Sequence, residues 1–357
     1  MRILVLGGTG FIGPSIVRRL VENGHEVAVF HRGQTEAGLP PEVRHIHGDR
    51  SALAAYAGQF RELRPDIVID TAAYSERDAQ ATMATFLGNA QRVIALSSQD
   101  VYRAYGRLHR TEPGVPETVP LLEYAPLRER MYPHLGKGLG LDDYEKILVE
   151  RTVMASNDLP GTVLRLPMVY GERDNQRRLA VELRRMDSNR PSILLEETFA
   201  NWRWTRSYVE NVAAAVVLAV QDARAIGRIY NVGDEGLSYA GWVREVGRAA
   251  GWQGEVIVVP DGRLPAQLRP PDGDYQQDLV ADTSRIRWEL GYVEAVDREE
   301  GLRRTIAWER AERTLGGPRP PDYAAEDAVL AELRSDAPAP LVPPPEPAGT
   351  APPLLGS

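Results

Sequence analysis

Residues 1–13 read MRILVLGGTGFIG. Ile3 to Leu6 is a short apolar run, the pattern of a strand buried on both faces. It breaks into glycines at Gly7, Gly10 and Gly13. Apolar side chains at Ile12, Ile16, Val17, Leu20 and Val21 then recur at helical spacing up to Gly24. In a strand–loop–helix unit each glycine has a physical task. The first turns the chain tightly, the second lets backbone amides approach a pyrophosphate, and the third lets the helix pack on the sheet. The helix N-terminus adds free N–H groups and the positive end of its dipole. Gly7, Thr9, Gly10, Phe11, Ile12 and Gly13 are therefore expected to cradle a dinucleotide; packing alone does not need three glycines at this spacing.

Outward from this stretch the pattern repeats. Apolar runs at 26–30, 43–47, 66–70, 92–96 and 162–166 alternate with helical periodicities at 51–63, 77–90 and 142–156. That alternation predicts an α/β fold, a Rossmann-type doubly wound parallel sheet. Residues 103–140 interrupt it with five prolines and no sustained period. Further helices are expected at 208–221, 242–250, 283–290 and 298–315, and strands at 228–233 and 255–260. Residues 1–170 with 205–236 are assigned to the dinucleotide-binding domain. Residues 171–204 and 237–315 are assigned to a smaller, interleaved C-terminal substrate-binding region. Residues 316–357 form a Pro/Ala-rich tail with one short helix at 324–334.

The chain has 357 residues, a net charge of −8 and no cysteine. The charge disfavours nucleic acid and anionic membranes as partners. The lack of cysteine excludes disulfides and thiolate chemistry and fits a cytoplasmic protein. No leader and no membrane span are expected. The six histidines show neither H-x-x-x-H nor H-E-x-x-H spacing, so no metal site is assigned.

The end of the second strand bears on the cofactor. No acid lies between Val27 and Thr35, where NAD binders commonly hold the ribose hydroxyls with a carboxylate. His31 and Arg32 stand there instead. A guanidinium suits a 2′-phosphate, so NADP is preferred and NAD is the alternative. Arg50 and Thr71, in the loops after the third and fourth strands, are expected in the same cleft.

The ordered motifs GGTGFIG, GDR (48–50), TAAY (71–74), SSQDVY (97–102), Lys146 with Glu150, LRLPMVYG (164–171) and ADTSRIRWELGY (281–292) resemble the extended short-chain dehydrogenase/reductase family, the NAD(P)-dependent epimerase/dehydratase group. The stretch FHRG looks more like its atypical members. The resemblance covers about residues 1–310. It implies that Asp49 contacts the adenine and that Ala72 and Ala73 line the path of the ribose and phosphates. It further implies that Ser98 polarises the substrate, Lys146 holds the nicotinamide ribose and lowers the pKa of a catalytic tyrosine, and Pro167 and Met168 flank the nicotinamide. A homodimer packed through the helices at 77–90 and 142–156 is implied as well.

Two departures stand out. The family's Tyr-x-x-x-Lys puts Asp142 at the tyrosine position. Tyr144 is two residues before Lys146, which on a continuous helix points it about 200° away. Asp142 as acid–base group, or as an N-cap of a helix starting there with Glu145 three residues on, and Tyr144 or Tyr102 as the phenol all remain open. Gln99 replaces one of the two acids that dehydratases of this kind carry; Asp100 keeps the other. The expected substrate contacts are Glu172, Arg173, Asn201, Arg203, Trp204 and Arg206, which suit an anionic ligand. The segment 103–140 is expected as a lid.

The function expected is an NADP-dependent oxidoreductase or epimerase acting on a hydroxyl or keto carbon of a sugar nucleotide or small metabolite. Ser98, Asp100, Asp142, Tyr144 and Lys146 are its catalytic candidates. The alternatives are a cofactor-binding protein without redox turnover and, disfavoured by charge, an RNA-binding protein.

Overall fold

A computed structural model describes residues 1–35, 37–312 and 322–335. Its strands are β1 (Arg2–Leu6), β2 (Glu26–His31), β3 (Arg44–His47), β4 (Ile67–Asp70), β5 (Arg92–Ser98), β6 (Gly161–Leu166), β7 (Met168–Tyr170), β8 (Ser192–Glu196), β9 (Arg203–Trp204), β10 (Arg206–Tyr208), β11 (Ile229–Asn231), β12 (Leu237–Ser238) and β13 (Glu255–Val259). Its helices are α1 (Gly13–Glu22), α2 (Ala57–Leu63), α3 (Glu76–Phe86), α4 (Arg103–Leu108), α5 (Lys146–Met154), α6 (Ala180–Asp187), α7 (Glu197–Asn201), α8 (Val209–Gln221), α9 (Tyr239–Ala250), α10 (Ser284–Leu290), α11 (Arg298–Glu312) and α12 (Tyr323–Ser335).

Seven strands form one parallel sheet in the order β11-β6-β5-β4-β1-β2-β3. This is the doubly wound arrangement, whose order reverses between β1 and β4. The apolar run of β1 is continuous because the sheet is covered on both faces. Ile3 and Val5 enter one core with Ile16, Val17 and Leu20 of α1 and the small side chains of α8. Leu4 and Leu6 enter the other with Phe60, Phe86 and Val149. Three two-stranded sheets, β7 with β10, β9 with β12 and β8 with β13, carry the second half of the chain. All seven strands of the large sheet fall within 1–170 and 205–236, and β8, β9, β12 and β13 outside them.

Several expected boundaries differ, each for a local reason. The helix expected over 51–63 is a 3-10 turn at Arg50–Tyr56 followed by α2, because Ala52 leaves helical geometry (φ −113°, ψ 28°). The helix expected from Asp142 begins at Lys146, capped by the Glu145 side chain, which accepts from the Ile147 amide. Asp142 is therefore not the N-cap; its Oδ1 accepts from the Gly136 amide at 2.8 Å. α9 starts three residues early because Ser238 caps it through the Gly241 amide. The 103–140 segment contains α4. Of the tail, α12 is present close to its expected place, while 316–321 and 336–357 lie outside the described residues.

Gly13 shows how tightly the opening unit is packed. A Cβ there would lie 2.6 Å from the Gly8 carbonyl carbon and 2.7 Å from the Gly7 oxygen. Gly13→Ala is expected to lose about 1–3 kcal/mol of stability in urea unfolding. Gly58→Ala, with open space around its Cβ, is expected to lose none.

Candidate active site

The sheet opens a cleft of about 710 Å³ beyond Leu6 and Phe30, at the point where the strand order reverses. Gly7, Thr9, Gly10, Phe11, Ile12 and Gly13 line it, together with His31, Arg32, Asp49, Arg50, Thr71 and Ala72. These twelve sequence-predicted residues converge on one space. Ala73, Lys146, Pro167 and Met168 are not among its lining residues. Asn175, Gln176 and Arg178 are, and sequence reasoning passed over them because 172–204 shows no period.

The cradle fits a dinucleotide. α1 begins with Ile12 at its N-cap position, no capping side chain and no acid in its first turn, so its leading amides remain for a ligand's phosphates. A Cβ at Gly10 would meet only the Gly7 oxygen at 3.9 Å, leaving the approach from the cleft open. Gly7 has φ +86°, the left-handed geometry of the tight turn. Arg32 is exposed on the cleft wall near Asp49. Asp49 accepts from the Ser51 amide and hydroxyl, which hold its carboxyl below the ordinary range, with Arg32 adding to the effect. Arg50 lines the cleft with its guanidinium already committed: it pairs with both oxygens of Asp70 at 2.7 Å and with Asp78. It serves to brace the loops after β3 and β4.

The acid–base groups adjoin the cleft through Tyr74 and Leu96. Lys146 Nζ donates to the Ala73 oxygen at 2.7 Å and the Leu96 oxygen at 2.9 Å, and lies 4.9 Å from the Tyr74 ring centroid. Burial lowers its ammonium to about 8, against the pull of Asp70 and Asp100. Tyr144 lies in the non-helical segment before α5, its amide bonded to the Leu141 oxygen at 3.1 Å. Its hydroxyl donates to Asp100 Oδ2 at 2.7 Å, and Lys146 Nζ is 6.0 Å from its ring centroid. Asp100 in turn donates its amide to Ser98 Oγ at 3.1 Å. Ser98, Asp100, Tyr144 and Lys146 are thus brought together, and Asp142 is not: it is exposed and tied to Gly136.

The phenol is electrostatically confined. Burial, and then Asp100, push Tyr144 well above its ordinary value, with Ser98 and Arg128 acting the other way. Asp100 is partly exposed as a residue, yet its Oδ1 is buried without a hydrogen-bond partner. Burial raises its carboxyl above the usual range, against the Tyr144 hydrogen bond and the charges of Arg128 and Lys146. His134, from the 103–140 segment, packs its ring 4.9 Å from that of Tyr144; the sequence offered no periodic signal for it.

Gln99, which replaces the dehydratase acid, and Tyr102, a candidate phenol, both sit in buried hydrogen bonds. Gln99 is buried and donates to the Arg165 and Val232 oxygens. Tyr102 is buried against Arg165 and donates to Asn231. Among the expected substrate contacts, Glu172 accepts from the Tyr208 hydroxyl, and Arg203 donates to the Gly236 oxygen. Arg206 is 4% exposed, enclosed by Trp204 and Trp242, and burial lowers its guanidinium to about 10. No helix among the described residues is long and apolar enough to cross a membrane.

The description "NAD dependent epimerase/dehydratase family" belongs to the family model that matches residues 3–119 and 143–233, more than half of the chain. The chain is 30% identical over 238 residues to a 2′-dehydrokanamycin reductase from Streptomyces kanamyceticus, covering 63% of this chain and 60% of that enzyme, less than two thirds of its length. It is 28% identical over 360 residues to a UDP-glucose 4-epimerase from Azospirillum brasilense, covering 88% and 94%. The crystal structure of a Thermus thermophilus UDP-glucose 4-epimerase complexed with NAD matches it with a TM-score of 0.64 at 25% identity, covering 87% of this chain and 99% of that one.

Asp100 makes the site's stability depend on pH. Its carboxyl holds a proton more strongly in the folded chain than in the unfolded one. Between those two pKa values the folded state binds more protons, so stability falls as pH rises through that window. Asp100→Asn keeps an acceptor for Tyr144 and removes the titration. Relative to the parent, it is expected to gain stability as pH rises above the ordinary carboxylate range, read from urea midpoints.

Proposed function

The chain belongs to the NAD dependent epimerase/dehydratase family, and within it we propose an NADP-dependent reductase that converts a keto carbon to a carbinol on a sugar nucleotide or small metabolite, with Tyr144 as proton donor. One observation carries the reading: α5 begins only at Lys146, so Tyr144 is released from the helical spacing and its hydroxyl reaches Asp100 beside Ser98. The family's tyrosine position, Asp142, is thereby replaced by a phenol two residues further on.

The chain's residues divide the work. Bound NADPH supplies the hydride. Ser98 Oγ accepts the Asp100 amide, which leaves its O–H to polarise the substrate carbonyl. Tyr144, kept protonated by burial and by Asp100, gives its proton to the oxygen as the carbon is reduced. The carboxyl of Asp100, which accepts the Tyr144 O–H, orients the phenol beside Ser98. Lys146 spends two N–H donors on Ala73 and Leu96 and keeps a third for a ribose hydroxyl. A neutral phenol is the form that holds the proton reduction needs. The similarity to 2′-dehydrokanamycin reductase supports the same direction, and the similarity to UDP-glucose 4-epimerases supports a sugar nucleotide as one substrate class.

NADPH consumption with a panel of keto sugars tests this. Tyr144→Phe is expected to lower kcat by about 10²–10⁴-fold with NADP⁺ affinity unchanged, and Asp142→Asn to remain near the parent. The reverse pattern, or a parent chain that binds NADP⁺ and turns over none of the panel, contradicts the proposal. Arg32→Ala is expected to weaken NADP⁺ binding by about tenfold or more and to leave NAD⁺ binding unchanged, measured by calorimetry.

A further inference from the structure

Three histidines meet at the open edge of the large sheet. His45 and His47 are two residues apart on β3, so both project from one face, while Ile46 between them enters the core beneath the other. β2 runs parallel beside this strand, and the register pairs His31 with His47. One ring nitrogen from each of the three lies within 4.8 Å of the other two. The His31 ring centroid is 5.0 Å from that of His45 and 4.7 Å from that of His47. His31 is buried; His45 and His47 are exposed. The group is anchored on two strands and open to solvent on one side.

The hydrogen bonds around His31 fix which of its nitrogens carries the proton. The Gly33 amide donates to His31 Nδ1 at 3.2 Å, so the His31 proton sits on Nε2, which faces His45 Nδ1 at 2.8 Å. No carboxylate belongs to the group, and three imidazolium charges in so small a space repel one another. Neutral imidazole is the form that ligates a metal.

We propose that His31, His45 and His47 form a binding site for a divalent transition-metal ion of the zinc class, with solvent completing the coordination shell. Imidazole nitrogens select zinc, copper or nickel over magnesium or calcium. Strands hold the ligands on a more rigid frame than a loop. The ion takes the place of the proton shared by His31 and His45; that proton passes to His31 Nδ1, and the Gly33 amide turns away from it. Gly33 occupies a left-handed turn (φ +74°), where such a movement meets little resistance. The ion cross-links β2 to the edge strand β3, directly before the loop that carries Arg32. This assignment does not depend on the proposed reaction.

Calorimetric titration of the full chain with Zn²⁺ tests it, with Co²⁺ absorption as a second readout. One Zn²⁺ per chain, a raised thermal midpoint, and a visible Co²⁺ band typical of a nitrogen-ligated, low-coordinate site are expected. His45→Gln/His47→Gln is expected to lose all three while keeping the parent's circular dichroism, since both side chains are exposed. Each single substitution is expected to weaken Zn²⁺ binding, which covers the case of a double variant that does not fold. A chain that takes up no Zn²⁺, or variants that bind it as tightly as the parent, overturn the site.

Discussion

The buried pair of Arg128 and Glu145 fixes where α5 begins, and the geometry of the candidate site follows from that point. Their side chains are 3% and 0% exposed. Arg128 donates to both Glu145 oxygens, to the Asp100 backbone oxygen and to the Arg130 oxygen. Glu145 also accepts from the Tyr132 and Ile147 amides, and its own amide donates to the Tyr74 oxygen. One ion pair thus binds the loop after β4, the loop after β5, the 103–140 segment and the first turn of α5. Burying two charges is costly, and the cost is offset only because their hydrogen bonds are met. Removing one partner of such a pair typically costs about 3–5 kcal/mol. With Glu145 held as N-cap, Lys146 is the first helical residue, and Tyr144 is left outside the helix with its hydroxyl on Asp100.

The family's chemistry can therefore survive a changed motif. The four-position spacing of tyrosine and lysine matters only because a helix places both on one face. If the helix starts at the lysine, a tyrosine in the preceding segment can reach the same space from another direction. A second buried pair, Glu150 with Arg165, stands behind the site: Glu150 accepts from the Ser97 hydroxyl and holds the end of β5 to β6.

How much of this was legible in the sequence follows from the range of each interaction. The glycine loop, the strands and the long helices are local patterns, and they appear in the chain much as they do in the fold. The convergence of Gly7–Gly13, Arg32, Asp49 and Thr71 on one cleft follows from parallel-sheet topology, which periodicity implies. The start of α5 was not legible. Asp142 with Glu145 has the form of a capping box, and only the distant Arg128 makes Glu145 the better cap. Arg50 has the sequence position of a ligand contact, yet Asp70 and Asp78 claim its guanidinium through tertiary contacts. The histidine group carries no helical spacing: His31 and His47 are neighbours only across a strand register. Gln176 and Arg178 sit in a segment without period, where sequence carries no signal of position.

In the proposed reaction Tyr144, and not Asp142, serves the nicotinamide. A crystal structure of the chain with NADP⁺ and a carbinol product tests it most directly. The account predicts the Tyr144 hydroxyl and Ser98 Oγ both hydrogen-bonded to the product oxygen, the carbinol carbon against nicotinamide C4, and Asp142 in solvent. An Asp142 carboxylate on that oxygen, or a Tyr144 ring turned away from it, would contradict the account.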